Sequence, residues 1–184
     1  METSDVELPL PGGGSVSLRP VTNADEEFLL KVYASTREAE LAQFAWAEGQ
    51  KELFVSWQFG LQRQEYQTRF PDARYNTIVV DGRPAGRIWV GIDDKQIRLL
   101  DIALLPEFQN RGVGTLLLRG LIDEAARAHK PLRHMVFVLN DEAHRFYERL
   151  GFTIIEDLGA YKHMEWRPEE LSAITHQIPQ TRNH

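Results

Sequence analysis

A run of seven residues between a predicted strand and a predicted helix constrains the fold more than any other feature. Gln109-Asn110-Arg111-Gly112-Val113-Gly114-Thr115 follows the apolar stretch from Leu99 to Leu105 and opens a helix with an apolar stripe. Glycine lets the backbone approach a ligand closely, because no Cβ intervenes. The first N–H groups of a helix lack intrahelical partners and lie at the positive end of its dipole. The run therefore predicts a cradle for an anion such as a diphosphate.

Two common nucleotide-binding motifs do not fit this run. The Rossmann motif needs a third glycine, as G-x-G-x-x-G, but Gly112-Val113-Gly114 is followed by Thr115, Leu116 and Leu117. The P-loop needs Lys-Ser or Lys-Thr after its last glycine, and neither pair follows here. A different type of nucleotide-binding α/β protein remains an alternative, which tight binding of an adenine dinucleotide would support.

The pattern that fits is Q/R-x-x-G-x-G/A, and residues 109 to 114 resemble the pyrophosphate-loop motif of the GNAT superfamily of N-acetyltransferases. A second signature of that family, N-x-x-A-x-x-F-Y-E-K/R-L-G-F, is matched from Asn140 to Phe152. The two motifs stand in the family's order, about one strand–helix unit apart. The resemblance covers residues 16 to 165, and its specific motifs lie between Leu99 and Phe152.

Composition indicates one domain without thiol chemistry. The chain has 184 residues, 42% of them hydrophobic and 26% charged, which is ordinary for a globular domain. It has no cysteine, which excludes disulfides, thiolate metal sites and cysteine nucleophiles. We expect a flexible N-terminal tail over residues 1–14, a single GNAT-like domain over 15–166 and a C-terminal tail over 167–184.

Charge and hydropathy limit the classes of partner and the cellular location that we expect for this protein. The net charge of −6 argues against general nucleic-acid binding, which needs a basic surface. No apolar run is long enough to span a bilayer, and the acidic N-terminus does not resemble a signal peptide. We therefore expect no membrane partner and a cytoplasmic location. The six histidines show no metal-ligand spacing, so no metal is expected.

Hydrophobic periodicity and turn residues predict a mixed α/β fold. Residues 36–49 read as a broken helix, and Leu53, Phe54, Trp57 and Leu61 form one helical face. The resemblance implies a GNAT-type fold: a mostly antiparallel twisted sheet of about seven strands, with a splayed parallel pair and helices on both faces. The predicted strands are 15–19, 76–80, 85–92, 96–105, 132–139, 153–157 and 160–166, and the main helices are 26–35, 50–70, one that opens at 113, and 141–150.

The resemblance implies direct acetyl transfer from acetyl-CoA to a primary amine. Tyr147 is the candidate general acid for the departing thiolate, because a phenol can donate a proton in a dry site. Many family members carry a glutamate base on the strand before the glycine run, and Arg98 occupies that position here. Asp101 on the same strand is the alternative base. A carboxylate in an apolar strand also suits a structural role as the partner of an arginine or of backbone groups, and a water chain is an alternative route for the proton.

The resemblance assigns the remaining candidates to acetyl-CoA, which acts as acyl donor. Backbone amides of the 109–115 run would hold the diphosphate, with a contact from Arg111. Asn140 would bind the cofactor or cap the following helix, for which Asp141 is an equally good cap. The cofactor-binding candidates are Ile102, Ala103, Leu104, Gln109, Asn110, Arg111, Gly112, Val113, Gly114, Thr115, Asn140, Ala143, Phe146 and Tyr147.

The sequence does not choose the acceptor, which could be a small-molecule or a peptide amine, because one fold hosts many substrates. A homodimer is the assembly that the resemblance implies. The alternative function is a non-catalytic acyl-CoA-binding sensor or regulatory module with the same fold. Tyr147 favours catalysis, whereas the missing strand glutamate favours the sensor.

Overall fold

The computed structural model describes residues 7–169, which divide into two compact units. The first unit consists of residues up to Gly91 together with Leu100–Leu116, and the second consists of Ile92–Leu99 and residues from Leu117 onward. The strands are β1 Leu8–Pro9, β2 Ser15–Pro20, β3 Arg74–Val80, β4 Arg83–Ile92, β5 Ile97–Leu104, β6 Leu132–Phe137, β7 Thr153–Asp157 and β8 Tyr161–Trp166. The α-helices are α1 Glu26–Leu41, α2 Gln50–Arg69, α3 Val113–Arg127 and α4 Asp141–Arg149.

Backbone hydrogen bonds give the strand order β1-β2-β3-β4-β5-β6-β8-β7. Five of the strand pairs are antiparallel: β1–β2, β2–β3, β3–β4, β6–β8 and β7–β8. The β5–β6 pair is parallel, with a register from Ile97↔Leu132 to Leu99↔His134. The predicted mixed α/β fold, mostly antiparallel with one parallel pair, is confirmed. Residues 7–169 form eight strands, one more than the expected seven.

The extra strand lies in the segment that was expected to be an irregular tail. Leu8 and Pro9 pair with Val16 and Ser15, and Leu10 is buried. The expectation fails for this part because proline is tolerated on an edge strand, where its missing N–H is not needed. Residues 1–6 of the predicted N-terminal tail, and 170–184 of the C-terminal one, lie outside the described residues.

The core of the first unit lies beneath α1 and α2. It contains Leu29, Tyr33, Leu41, Val55, Phe59, Trp89 and Leu100. Helix α1 ends at Leu41 and not at residue 35 as predicted, because its apolar spacing continues as far as the buried Leu41. The hairpin between β3 and β4 turns at Asp81 and Gly82, which both have positive φ. Such a pair of residues produces the tight turn that matches strand twist.

Helix α2 matches the predicted helix to within one residue, and its two sides differ in burial. Val55 and Phe59 are buried, whereas Leu53, Trp57 and Leu61 are exposed. Of the four residues that form the predicted helical face, only Phe54 packs against the core, and periodicity alone does not say which side of a helix is buried. Among the described residues, no helix is both long enough and apolar enough to cross a bilayer.

Candidate functional site

The glycine run lies in the first unit up to Leu116 and presents a row of free backbone donors. Asn110 and Gly112 have φ values of 57° and 81°, which fold the run back on itself. Among the described residues, the N–H groups from Asn110 to Thr115 donate to no backbone carbonyl; Leu116 is the first to do so, to Gly112 O at 3.0 Å. These donors and the positive end of the α3 dipole are the features that an anion-binding site requires, and the diphosphate-binding role of the run stays a prediction.

Two arginines and one carboxylate set the charge beside this run. Arg111 Nη2 lies 3.2 Å from Asp81 Oδ2, and Arg111 and Arg83 both lie over the Phe108 ring. The other oxygen, Asp81 Oδ1, accepts the Ser15 N–H at 2.9 Å. That hydrogen bond is the main reason that the pKa of Asp81 lies below its ordinary value, and Arg111 adds to the effect. An exposed guanidinium thus lies at the run, paired with a carboxylate that is itself anchored by the Ser15 N–H.

The strand before the run is packed closely against its neighbour. A Cβ on Gly86 of β4 would collide with the carbonyl oxygen of Ala103 on β5, so only glycine permits this approach. Leu104 O accepts a hydrogen bond from Gln109 Nε2 at 2.9 Å, which ties the start of the run to β5. Ile102 and Leu104 are half-buried and Ala103 is buried. Their pantetheine-binding role stays a prediction.

Asp101 has the arginine partner that its apolar strand suggested. Arg87 on β4 is 1% exposed, and its Nη2 lies 2.6 Å from Asp101 Oδ2 and 3.2 Å from Gln62 Oε1. The guanidinium is enclosed by the rings of Trp89, Tyr33 and Phe59, at 4.6, 5.6 and 5.7 Å from their centroids. Within residues 7–169, its Nε and Nη1 atoms have no hydrogen-bond partner, and Asp101 is its sole carboxylate. The role of Asp101 as base stays a prediction.

Arg98, which stands where many family members have a glutamate, lies in the second unit. Its guanidinium contacts the sulfur of Met135, with Nη2 3.2 Å from Sδ. It also contributes to lowering the pKa of His163, although burial is the larger cause. An arginine in this environment remains charged and cannot accept a proton. Strand β5 therefore offers Asp101, not residue 98, as its carboxylate.

Asn140 caps α4. Its Oδ1 accepts the Ala143 N–H at 3.0 Å, so the cap is Asn140 and not the equally plausible Asp141. The same side chain retains two Nδ2 donors and one lone pair on Oδ1, so capping does not prevent it from contacting a ligand. Ala143 and Phe146 are half-buried on this helix.

Tyr147 lies in an aromatic cluster within the second unit. It is 3% exposed, and its ring lies 4.8 Å from that of His134 and 5.3 Å from those of Phe146 and Phe152. His134 Nδ1 is 2.8 Å from Leu99 O, so it must carry the proton that it donates to this carbonyl. His134 was not among the residues predicted from the sequence. The sequence feature that could have indicated His134 is its place in the strand that precedes the second motif. In the structure it forms the last pair of the parallel β5–β6 register, with Leu99.

The candidate residues thus fall into two groups. Residues 101–115 belong to the first unit, and Asn140, Ala143, Phe146 and Tyr147 belong to the second. Within the described part of the chain, no group of three or more His, Cys, Asp or Glu side chains is arranged to hold a metal ion.

Comparison with known proteins identifies the class. The family model for the Acetyltransferase (GNAT) family matches residues 33–152, which is well over half of the chain. The protein therefore belongs to the GNAT acetyltransferase family. No curated protein matches it in sequence.

Solved structures share the fold at low identity. The PaiA N-acetyltransferase from Thermoplasma acidophilum, solved with coenzyme A, is 22% identical, with a TM-score of 0.62 over 83% of this chain and 99% of that one. An acetyltransferase from Thermus thermophilus is 20% identical, with a TM-score of 0.61 over 83% and 96%. FdhC, described as a nucleotide-linked sugar GNAT, is 16% identical, with a TM-score of 0.61 over 95% and 97%. At these identities, the likeness extends to the fold and not to the acceptor.

Proposed function

We propose that this protein transfers an acetyl group from acetyl-CoA directly to a primary amine, in the cytoplasm. The observation that carries the proposal is the row of unpaired N–H groups from Asn110 to Thr115 at the start of α3. Family membership supplies the reaction class, and the complex of the PaiA neighbour with coenzyme A supports the choice of donor.

The chemistry of the run suits a diphosphate. Backbone N–H groups in a concavity bind phosphate oxygens without the cost of ordering long side chains. The side chain of Arg111 is 41% exposed and its ion pair is with the exposed Asp81, so it can turn to an anion at little cost. The space beside the Gly112 Cα is open, since a Cβ there would meet nothing nearer than the Pro11 ring at 3.8 Å.

Direct transfer needs no protein nucleophile, in keeping with a chain that has no cysteine. The neutral amine nitrogen attacks the thioester carbonyl carbon, the C–N bond forms and the C–S bond breaks. Tyr147 gives its hydroxyl proton to the departing thiolate sulfur, and the former amine loses a proton to a base. Because Arg87 already engages Asp101 Oδ2, a proton accepted by Asp101 would go to Oδ1. The products are an amide and coenzyme A.

Calorimetric titration followed by a turnover assay tests the proposal. We expect micromolar binding of acetyl-CoA and none of NADH or ATP, and then thiol release in the presence of a panel of polyamines, amino acids and lysine peptides. A thiol reagent can monitor the release without background, because the protein has no thiol. Binding without turnover on the whole panel would favour the non-catalytic acyl-CoA sensor. No binding would overturn the cradle itself.

A further inference from the structure

The ring of Tyr147 contacts three other aromatic rings within the second unit. Phe146 precedes it in α4 and Phe152 follows the end of that helix, each with its ring centroid 5.3 Å from that of Tyr147. His134 is closer, with 4.8 Å between the centroids and 46° between the ring planes. The two phenylalanines are local in sequence, so His134 is the member of this cluster that ties the ring to strand β6.

The imidazole of His134 is itself fixed in orientation. Its Nδ1 donates to Leu99 O at 2.8 Å, on the neighbouring strand and at the pair where the parallel register stops. This hydrogen bond sets both the tautomer and the direction of the imidazole ring. Leu99 is 1% exposed, and its backbone belongs to a paired strand. The imidazole therefore presents a fixed surface to the ring of Tyr147.

The plane of the phenol ring decides in which direction Tyr147 can send its proton. The O–H bond of a phenol stays close to the ring plane, because an oxygen lone pair is conjugated with the ring. Rotation of the ring about the Cβ–Cγ bond therefore turns the O–H bond with it. Proton transfer to a positioned sulfur needs one direction of this bond, and small errors of position are costly in rate. A neighbour that fixes the ring plane thus contributes to turnover without touching the reacting atoms.

We propose that His134 is a positioning residue for Tyr147. Its hydrogen bond to Leu99 O orients the imidazole, and the imidazole fixes the plane of the Tyr147 ring and with it the direction of the hydroxyl group. The catalytic consequence rests on the proposed acetyl transfer, whereas the contact between the two rings does not. The contact and its consequence are therefore measured separately.

Ring flipping of Tyr147, followed by NMR, tests the contact without any turnover. The five tyrosines can be labelled with ¹³C at the ε positions, and the signal of Tyr147 is the one that Tyr147→Phe removes. We expect the ring to flip at least about tenfold faster in His134→Leu than in the wild type, because the oriented neighbour is lost. His163→Leu is the matched control, a half-buried histidine on β8 that pairs with Glu156. Equal flip rates in the wild type and in His134→Leu would overturn the proposal.

A double-mutant cycle tests the consequence for turnover. His134→Leu should lower kcat about tenfold and leave the Kd of acetyl-CoA within about twofold of the wild type, because no donor-binding candidate is altered. In the Tyr147→Phe background there is no hydroxyl group to direct, so the same change should have no further effect on kcat. An equally large loss of kcat in that background would show a general structural effect and would contradict the positioning role.

His134→Phe separates the hydrogen bond from the ring contact. This variant keeps an aromatic ring beside Tyr147 but has no N–H to donate to Leu99 O. We expect its flip rate and its kcat to lie between those of the wild type and His134→Leu, whereas wild-type values would exclude the hydrogen bond as the source of the orientation. If the wild-type protein acetylates no amine, the proposed function fails instead, and the flip rates alone decide whether His134 holds the ring.

Discussion

Arg87 and Asp101 form an ion pair between neighbouring strands, with 2.6 Å between Nη2 and Oδ2. The arginine is almost fully buried under three aromatic rings, while the aspartate side chain retains 19% exposure. The aspartate thus balances a cation that has no second carboxylate among the residues the structure describes. Any proton-transfer role for Asp101 comes in addition to this structural one.

Asp101→Asn is expected to destabilise the protein by about 3 kcal/mol, because it leaves the buried Arg87 without a counter-charge. Urea denaturation at pH 7 measures this loss, with Asn in place of the exposed Asp72 as the control. The double variant Arg87→Met with Asp101→Asn should be more stable than Asp101→Asn alone. If the double variant is the less stable of the two, the pair is not the reason for the loss.

We expect acid to lower the free energy of unfolding, because Asp25 becomes protonated and loses its ion pair with Arg19. Arg19 binds this carboxylate through both oxygens, and Thr22 N–H donates to it, which holds its pKa well below the ordinary value. A lowered folded pKa contributes stability that is complete above the unfolded pKa of about 4 and is lost as the pH falls below it. Asp25→Asn should reduce stability at pH 7 and flatten its decline from about pH 5 to about pH 3. An unchanged pH profile of the urea midpoint would refute this assignment, and Asp123→Asn serves as the control.

Gly112→Asp should abolish most acetyl-CoA affinity, at least about a hundredfold, by placing a negative side chain among the free N–H groups. Gly159→Asp is the matched control, because Gly159 has the same φ of +81° and lies in a turn far along the chain from the run. Calorimetry compares the two variants. Equal affinities would place the diphosphate elsewhere.

Tyr147→Phe should lower turnover at least about tenfold with little change in acetyl-CoA affinity, because it removes the proton donor and keeps the ring. The ring contacts with His134, Phe146 and Phe152 predict that the variant folds normally. Tyr161→Phe, an exposed tyrosine on β8, is the control. Full turnover of Tyr147→Phe on a proven acceptor would remove Tyr147 from the mechanism.

The sequence predicted the order of elements well, because glycines, prolines and short apolar runs mark their ends. It also predicted the strand-to-helix turn at the glycine run, because that turn depends on backbone geometry over a few consecutive residues. It did not find the Arg87–Asp101 contact as a specific pair, because the two residues meet only through strand register. It did not say which face of α2 is buried for the same reason: the side that meets the core is set by tertiary packing.

Asp81 connects three stretches of chain that are distant in sequence. One oxygen holds the backbone of Ser15 at the start of β2, and the other holds Arg111 in the glycine run. An anion that draws Arg111 away leaves this carboxylate with one partner fewer. We therefore expect donor binding at the run to change the hydrogen exchange of the Ser15 N–H, because Ser15 and Arg111 share the carboxylate of Asp81.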